Sequence, residues 1–449
     1  MNKINKNIYD EIIKFNLKNN SSPTFLLAVS GGVDSIVMLD VFFKLCNKIK
    51  FTIFVSHINY QIHNNSNEAE TNIKQYCTKN LIPYEIVRAD INNSSNFEAK
   101  ARKFRYDVFQ KLIEKNKIKY ICTAHHWDDQ LETLFMKHIQ NAPITSFRGV
   151  LEFNKNIWRP FLKCRKNEIL EYANINKLNW VDDSTNEEKN YLRNKIRIED
   201  IPKLKINNPN LITELFQKKD HILKLFKIAE LTKAILFSSK LIILSLNPFY
   251  FMVDINSILK LDVVIRQIII QSLLNDFKIN LQNMTNLHWK TFWQFIGKRK
   301  IGKEFILYEN IKTLIDRDNL IIFNPENIIS LSKKMKNNLN WYNSKFYLDE
   351  SEIHQNESNQ YFLVDRTYYG KGVYVRNWKH GDLLIDNRSK KNKKISELFI
   401  KNKFSKLHKM IHPIVVDYED KPIWIPSLRH SNCNNIKNKE NIVIKWQQN

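Results

Sequence analysis

The segment Phe25-Leu26-Leu27-Ala28-Val29-Ser30-Gly31-Gly32-Val33-Asp34-Ser35 runs five apolar residues into a pair of glycines and on into a helix-like pattern. Five apolar residues without alternation suit a strand buried on both faces. The chain has only eight glycines in 449 residues, so an adjacent pair at a strand end needs a reason. Glycine permits positive φ and lets the backbone approach an anion closely. The helix start behind it offers unpaired N–H groups and a favourable dipole. Ser30 and Ser35 add hydroxyls, so Ser30, Gly31, Gly32, Val33, Asp34 and Ser35 form a candidate pyrophosphate cradle. No Gly-x-x-x-x-Gly-Lys occurs, which excludes a Walker loop. Asp34 is informative, because a carboxylate beside phosphates needs a cation between them. It points to Mg²⁺ or a positive substrate group.

Strand-like and helix-like patterns alternate outward from this loop. Phe51–Val55, Tyr84–Val87 and Tyr120–Thr123 read as further buried strands. Residues 35–47, 67–79, 97–116 and 128–139 read as helices. Such alternation predicts an α/β fold with a parallel sheet covered on both faces and a ligand beyond the C-terminal strand ends. Residues ~205–330 read as mostly helical. Asn324–Asn340 reads as a linker. Short strands follow at Tyr361–Val364, Val373–Val375, Ile414–Val416 and Ile423–Ile425.

A second polar cluster follows the fourth strand: Thr123-Ala124-His125-His126-Trp127-Asp128-Asp129-Gln130-Leu131-Glu132-Thr133. On a helix, His125, Asp129 and Glu132 share one face. A histidine with two acids can bind a metal, move a proton or hold an amine. Zinc fits poorly, since the histidines are adjacent and no cysteines match them. Trp127 and Trp158 read as core residues.

Ser-Gly-Gly-Val-Asp-Ser resembles the motif of the PP-loop, or N-type ATP pyrophosphatase, family. His-His-x-Asp-Asp-Gln-x-Glu-Thr after it resembles the tRNA(Ile)-lysidine synthase branch. His57-Ile58-Asn59-Tyr60 is similar to that branch's His-Val-Asn-His, with Tyr60 in place of the second histidine. Further agreement lies in Glu98-Ala99-Lys100-Ala101-Arg102 with Arg105-Tyr106, in Trp158-Arg159-Pro160-Phe161-Leu162, in Asp182-Asp183-Ser184-Thr185-Asn186 and in Arg193-Asn194-Lys195-Ile196-Arg197. Arg376, Gly381-Asp382 and Ile423-Trp424-Ile425-Pro426 are similar to the family's last domain. One departure stands out: Gln140–Gly149 holds a single glycine where the family has a glycine-rich stretch.

The resemblance implies a PP-loop (adenine nucleotide α-hydrolase-like) ATP-binding catalytic domain over residues 1–210. A mainly helical domain over 211–330 and a small α+β, basic, tRNA-binding domain over 345–449 follow. It implies a cytoplasmic carbon–nitrogen ligase using ATP and Mg²⁺. Free L-lysine would be joined to C2 of the wobble cytidine of tRNA(Ile) with a CAU anticodon, through an adenylated tRNA. The product would pair with A, changing the specificity from Met/AUG to Ile/AUA. Asp34, His125, Asp129 and Arg193 are the expected catalytic residues, with Asp34 meeting Mg²⁺ through the phosphates. Asp129 and Glu132 are expected to bind lysine. Arg102, Arg105 and Arg197 are expected to face tRNA or ATP.

Composition agrees. Lys+Arg number 70 against 46 Asp+Glu, a formal charge of +24, which favours a polyanionic partner. Arg388, Lys390, Lys391, Lys393, Lys394, Lys401, Lys403, Lys406 and Lys409 concentrate part of it and can neutralise phosphates. No run of ~18 apolar residues predicts a membrane span, and Met1–Lys6 lacks a signal-peptide core. The five scattered cysteines read as free thiols of a reducing compartment. A tRNA thiolase would call for a catalytic cysteine pair, and Cys122 and Cys164 are far apart in sequence. No protein partner is implied, with a homodimer left open.

Overall fold

A computed structural model describes residues 6, 8–14, 22–61, 65–89, 97–181, 192–277, 284–328, 331–349, 360–386, 391–431 and 441–448. The chain divides into two compact units, Met1–Lys224 and Leu225–Asn449.

The first unit is built on β1 (Thr24–Ala28), β2 (Thr52–Asn59), β3 (Tyr84–Arg88), β4 (Tyr120–Cys122), β5 (Phe153–Asn154) and β6 (Ile157–Trp158). Their order is β3-β2-β1-β4-β6-β5, parallel except for the β5–β6 pair. The helices α1 (Val33–Cys46), α2 (Ser66–Lys79), α3 (Phe97–Asn116) and α4 (Trp127–Ile139) connect them, and α5 (Lys166–Ile175) follows β6. These match the predicted elements within one to three residues at most ends, because both periodicities are clean there. Phe25 on β1 meets Phe42, Phe51 and Trp158 at ring distances of 5.6–5.7 Å, which makes Trp158 core as expected. Asp40, buried on α1, accepts from Tyr76 at 3.0 Å and Tyr172 at 2.9 Å and pairs with Lys44 at 2.8 Å. Burial and the Asp40 charge raise the Tyr76 phenol well above its usual value, so it stays a donor. The network ties α1, which carries the glycine loop, to α2 and α5. The unit ends in α6 (Leu192–Lys195), a π-helical turn at Ile196–Asp200, α7 (Ile201–Asn207) and the first part of α8 (Pro209–Ser238).

The second unit contains α9 (Ile255–Leu259), α10 (Val263–Asp276) and α11 (Asn286–Gly297). It also contains a five-stranded sheet that the helical reading of this region missed: β7 (Ile242–Leu246), β8 (Phe249–Asp254), β9 (Glu304–Tyr308), β10 (Ile311–Asp316) and β11 (Asn319–Phe323), ordered β7-β8-β11-β10-β9. Leu320 to Phe323 are buried without alternation, and such a run does not separate a strand from a buried helix. The stretch read as a linker holds β12 (Ser332–Lys334) and β13 (Asn338–Trp341). The remaining chain forms β14 (Ser344–Asp349), β15 (Tyr361–Asp365), β16 (Tyr374–Asn377), β17 (Leu383–Ile385), β18 (Asn392–Lys394), β19 (Pro413–Val416), β20 (Pro422–Ile425), β21 (Arg429–His430) and β22 (Asn441–Gln448). They make sheets β12-β16-β19-β20-β21 and β13-β14-β22-β15, with a β17–β18 ribbon. Arg376 is buried there and bridges Asp382 at 2.8 Å and Asp420 at 2.5 Å. Among the described residues no helix is long and apolar enough to cross a membrane.

Candidate active site

The glycine loop leaves the C-terminal end of the central strand. Gly31 has φ +99°, and a Cβ there would lie 2.6 Å from the Ala69 Cβ. Both the conformation and the contact with α2 therefore require glycine. The Ser35 Oγ accepts from the N–H groups of Ser30 and Gly31, each at 3.1 Å, and donates to the Gly32 carbonyl at 2.9 Å. Ser35 is thus a brace that shapes the loop from inside. Gly32 caps α1 without a side-chain bond, and its carbonyl accepts the Ser35 and Ile36 N–H groups at 3.0 and 3.1 Å, which leaves the Val33 and Asp34 N–H groups at the helix start for an anion. The Asp34 carboxylate takes the Lys166 ammonium at 2.7 and 2.8 Å. The sequence points to Mg²⁺ or a positive substrate group beside Asp34; the cation found there is Lys166, from α5 of the chain itself.

The helix after β4 starts at Trp127, with His126 as its N-cap. His125 precedes it, so His125, Asp129 and Glu132 do not share a helical face; the cap takes the chain into extended geometry one residue later than the sequence spacing assumed. His126 is 6% exposed. Its Nδ1 accepts from the Asp128 N–H at 3.2 Å, and its N–H donates to Asp129 at 2.9 Å. Its Nε2 lies 3.8 Å from Asp34 and 3.6 Å from Asp129. His126 therefore joins the two clusters. His125 pairs with the Thr123 hydroxyl at 2.9 Å. Burial, reinforced by nearby arginines, pushes its imidazole down to about 4, so it is neutral at pH 7.

Asp129 and Glu132 point inward, at 9% and 3% exposure. Arg193 reaches Asp129 at 3.0 Å and Glu132 at 2.9 Å. Arg197 reaches Glu132 at 2.5 and 3.1 Å and Asp129 at 3.3 Å. Burial opposes the charge on Asp129, but His126, His125 and Arg193 hold its carboxyl below the usual range. Burial likewise opposes Arg197, yet Glu132, Asp129 and Asp34 raise it above its ordinary value. Two acids and two guanidiniums thus neutralise each other, as buried charges require. Arg197 lies in the π-helical turn at Ile196–Asp200, a distortion frequent at functional sites. The two arginines remain 45% and 39% exposed, so their outer edges stay open to a ligand.

The other expected residues spread further. Arg105 donates to the Tyr60 hydroxyl at 3.2 Å, and Tyr60 donates to the Ala101 carbonyl. Tyr60 thus ties β2's end to α3 where the family carries a histidine. Arg102 is exposed, with its guanidinium 5.2 Å from the Tyr106 ring centre. The Glu98 side chain, Asp182–Asn186, Arg388 and Lys390 lie outside the described residues. Trp127 stacks on Phe216 at 4.8 Å, and the Arg165 guanidinium lies over the Trp127 ring at 4.5 Å. The glycine-poor stretch forms a 3-10 turn at Ile144–Arg148. Gly149 then takes φ +63° against the Gln130 side chain, whose Oε1 accepts from the Val150 N–H at 2.6 Å.

Three contributors escaped the sequence reading. Lys166 sits 132 positions from Asp34, and only the fold joins them. His126 was quoted beside His125 but given no role. His57, 3% exposed, binds the Val29 carbonyl at 2.9 Å through Nδ1, while its Nε2 and the Ser56 Oγ are buried without a partner at the ligand edge of β2.

A pH prediction follows from the histidines. His125 and His412 are both pushed by burial to about 4. Unfolded histidine titrates near ~6.5. Between those values the unfolded chain binds protons that the folded chain refuses, so stability falls as pH drops from ~6.5 to 4. Calorimetry across pH 7.5 to 4 should record a falling Tm, with a shallower slope in His125→Gln.

Residues 4–204 match the family described as PP-loop domain. The chain is 25% identical over 478 residues to the tRNA(Ile)-lysidine synthase of Bacillus subtilis, covering 99% of this chain and 98% of that protein. It is 34% identical over 197 residues to the tRNA(Ile)-lysidine synthase of Enterococcus faecalis, covering 43% of each. It is 26% identical over 468 residues to the bifunctional protein TilS/HprT of Listeria monocytogenes, covering 96% of this chain and 68% of that protein. With its glycine loop at the end of the central parallel strand, the segment 4–204 matches the PP-loop domain, and the chain as a whole is similar to tRNA(Ile)-lysidine synthases along nearly its entire length.

Proposed function

We propose that the chain ligates lysine to C2 of the wobble cytidine of tRNA(Ile) with a CAU anticodon, using ATP through an adenylated tRNA. The observation that carries this reading is the junction at His126. On one side lie an anion-binding loop and Asp34; on the other lie two buried acids balanced by two arginines. One half suits phosphates and the other suits an amine.

In the first step the C2 oxygen attacks the α-phosphorus, and the bond to pyrophosphate breaks. The Val33 and Asp34 N–H groups at the start of α1 hold the phosphates, with Ser35 fixing the loop's shape. Charge grows on the leaving pyrophosphate, and preorganised donors and cations stabilise it. Arg193 turns its exposed edge to that charge. Mg²⁺ would be held by Asp34, a hard oxygen donor that it would share with Lys166, since Mg²⁺ characteristically takes one or two carboxylates plus substrate phosphates. When bound it neutralises phosphate charge.

In the second step the lysine ε-amine attacks C2, and the C–O bond to AMP breaks. Asp129 and Glu132 receive the arriving ammonium as Arg193 and Arg197 shift toward phosphate. The two guanidiniums nearby lower the ammonium's pKa, and its proton passes to Asp129 or His125. The exposed lysines Lys391, Lys394, Lys401, Lys403 and Lys406 offer contacts to tRNA phosphates. A thiolase reading gains no support, since Cys122 and Cys164 are buried and burial raises Cys122 far above its usual value, disfavouring a thiolate.

The test is to incubate enzyme, tRNA(Ile) and ATP labelled at the α-phosphate without lysine. Label should appear on the tRNA and leave as AMP when lysine is added. Labelled AMP with no tRNA-bound intermediate would contradict the adenylated route.

A further inference from the structure

Lys166 is the first residue of α5, and no step above uses it. Its ammonium takes both oxygens of Asp34, at 2.7 and 2.8 Å. Three hydrogen bonds fix the backbone beneath it. The Lys166 N–H donates to Asp128 at 2.9 Å, the Arg165 N–H donates to Glu168 at 2.8 Å, and the Trp127 N–H donates to the Cys164 carbonyl at 2.8 Å. Further along, Tyr172 of α5 donates to Asp40 at 2.9 Å, and Asn176, just past the helix, accepts from Lys44 at 2.7 Å. Asp40 and Lys44 belong to α1, so the base of Lys166 rides on the same frame as the glycine loop. Only its four-carbon stem keeps freedom to move.

The Lys166–Asp34 pair is open to solvent, with side chains 35% and 28% exposed, and such a pair adds little to stability. An ammonium carries three N–H donors and no acceptor. Two are directed at Asp34, and among the described residues the third has no partner. Position selects the acceptor that can reach it. Asp34 offers its own N–H, with that of Val33, to the phosphates held by the loop. A cation seated on the Asp34 carboxylate therefore stands beside the part of ATP that leaves as pyrophosphate. A point charge on a flexible stem can follow those oxygens as the bond lengthens, where charge grows and stabilisation counts most.

We propose that Lys166 is a catalytic residue of the first step, binding a non-bridging oxygen of the leaving pyrophosphate and joining it to Asp34. As the acceptor oxygen attacks the α-phosphorus, the electron pair of the broken bond passes to the pyrophosphate oxygen. Lys166 remains an ammonium throughout and neutralises part of that charge. The proposal rests on the ATP reading of the glycine loop and is independent of which acceptor is adenylated.

The test is a double-variant cycle on the full chain: wild type, K166Q, D34N and D34N with K166Q, with K166M and K166R beside them, each checked by its Tm. Inorganic pyrophosphate and AMP are titrated by calorimetry without Mg²⁺, so that no effect runs through a metal on Asp34. K166Q and K166M should raise the pyrophosphate Kd about tenfold or more, while the AMP Kd stays within about twofold. K166R should stay within about threefold of wild type for both ligands, because it keeps the charge. In the D34N background K166Q should weaken pyrophosphate by at least as much. A lysine that serves only to neutralise Asp34 would lose its whole effect there, and that result would overturn the proposal. An equal loss of AMP affinity would move Lys166 to the α-phosphate and overturn the assignment as well. At saturating ATP, tRNA-dependent pyrophosphate release should fall about a hundredfold in K166Q; a normal rate would remove Lys166 from the step. Unchanged pyrophosphate binding in K166Q beside a wild type that binds it would sink Lys166 alone, whereas a wild type that binds none would sink the ATP reading of the loop with it.

Discussion

Asp34→Asn should lower tRNA-dependent pyrophosphate release about a thousandfold while leaving Tm nearly unchanged. The substitution keeps shape and removes charge. Asp34 lies at the first turn of α1, is partly exposed, and holds Lys166 at 2.7 and 2.8 Å. Its loss strands that ammonium and removes the oxygen donor expected to meet Mg²⁺. It also removes the carboxylate 3.8 Å from His126, at the point where the two halves of the site meet. Folding does not depend on it, because the loop is braced by Ser35 and by the Val181 N–H to the Gly31 carbonyl at 3.1 Å. A coupled pyrophosphate assay and a melting curve on the same preparation measure both quantities. Near-normal release would remove Asp34 from the mechanism.

The second large effect is expected at Asp129. Asp129→Ala removes the acceptor of the His126 N–H and leaves Arg193 and Arg197 to share Glu132 alone. Lost capping costs about 1 kcal/mol, and the loss of the charged hydrogen bonds to the two part-exposed arginines costs about 1.5–3 kcal/mol. Lysine incorporation should fall below detection. Asp129→Asn separates function from folding, since its side-chain oxygen still caps His126. It should recover most of the lost stability and yet transfer lysine at least about a hundredfold more slowly than wild type. Near-normal incorporation in Asp129→Asn would place the amine elsewhere.

The first unit was legible because its signals are local. Short, mostly apolar runs marked β1, β2 and β4, and two glycines marked the loop, in which Gly31 takes a φ of +99°. What joins distant segments was not legible. Lys166 reaches Asp34, and Arg193 and Arg197 reach Asp129 and Glu132, across 61 to 132 positions; no periodicity encodes such pairs. The arginines were expected to face ATP or RNA, and their closure onto the two acids emerges only from packing. The helical reading of the middle segment overlooked β7 to β11 because apolar residues there do not alternate: β11 is buried along its length, while β7 and β9 place apolar residues such as Leu246 and Ile306 at exposed positions.

The most direct measurement is ATP-dependent incorporation of labelled lysine into a tRNA(Ile) transcript with a CAU anticodon, beside an initiator tRNA(Met) transcript sharing that anticodon. The account predicts label in the first, none in the second, and none without ATP. No label in tRNA(Ile), from a preparation that releases AMP with another substrate, would keep the PP-loop chemistry and contradict lysidine synthesis.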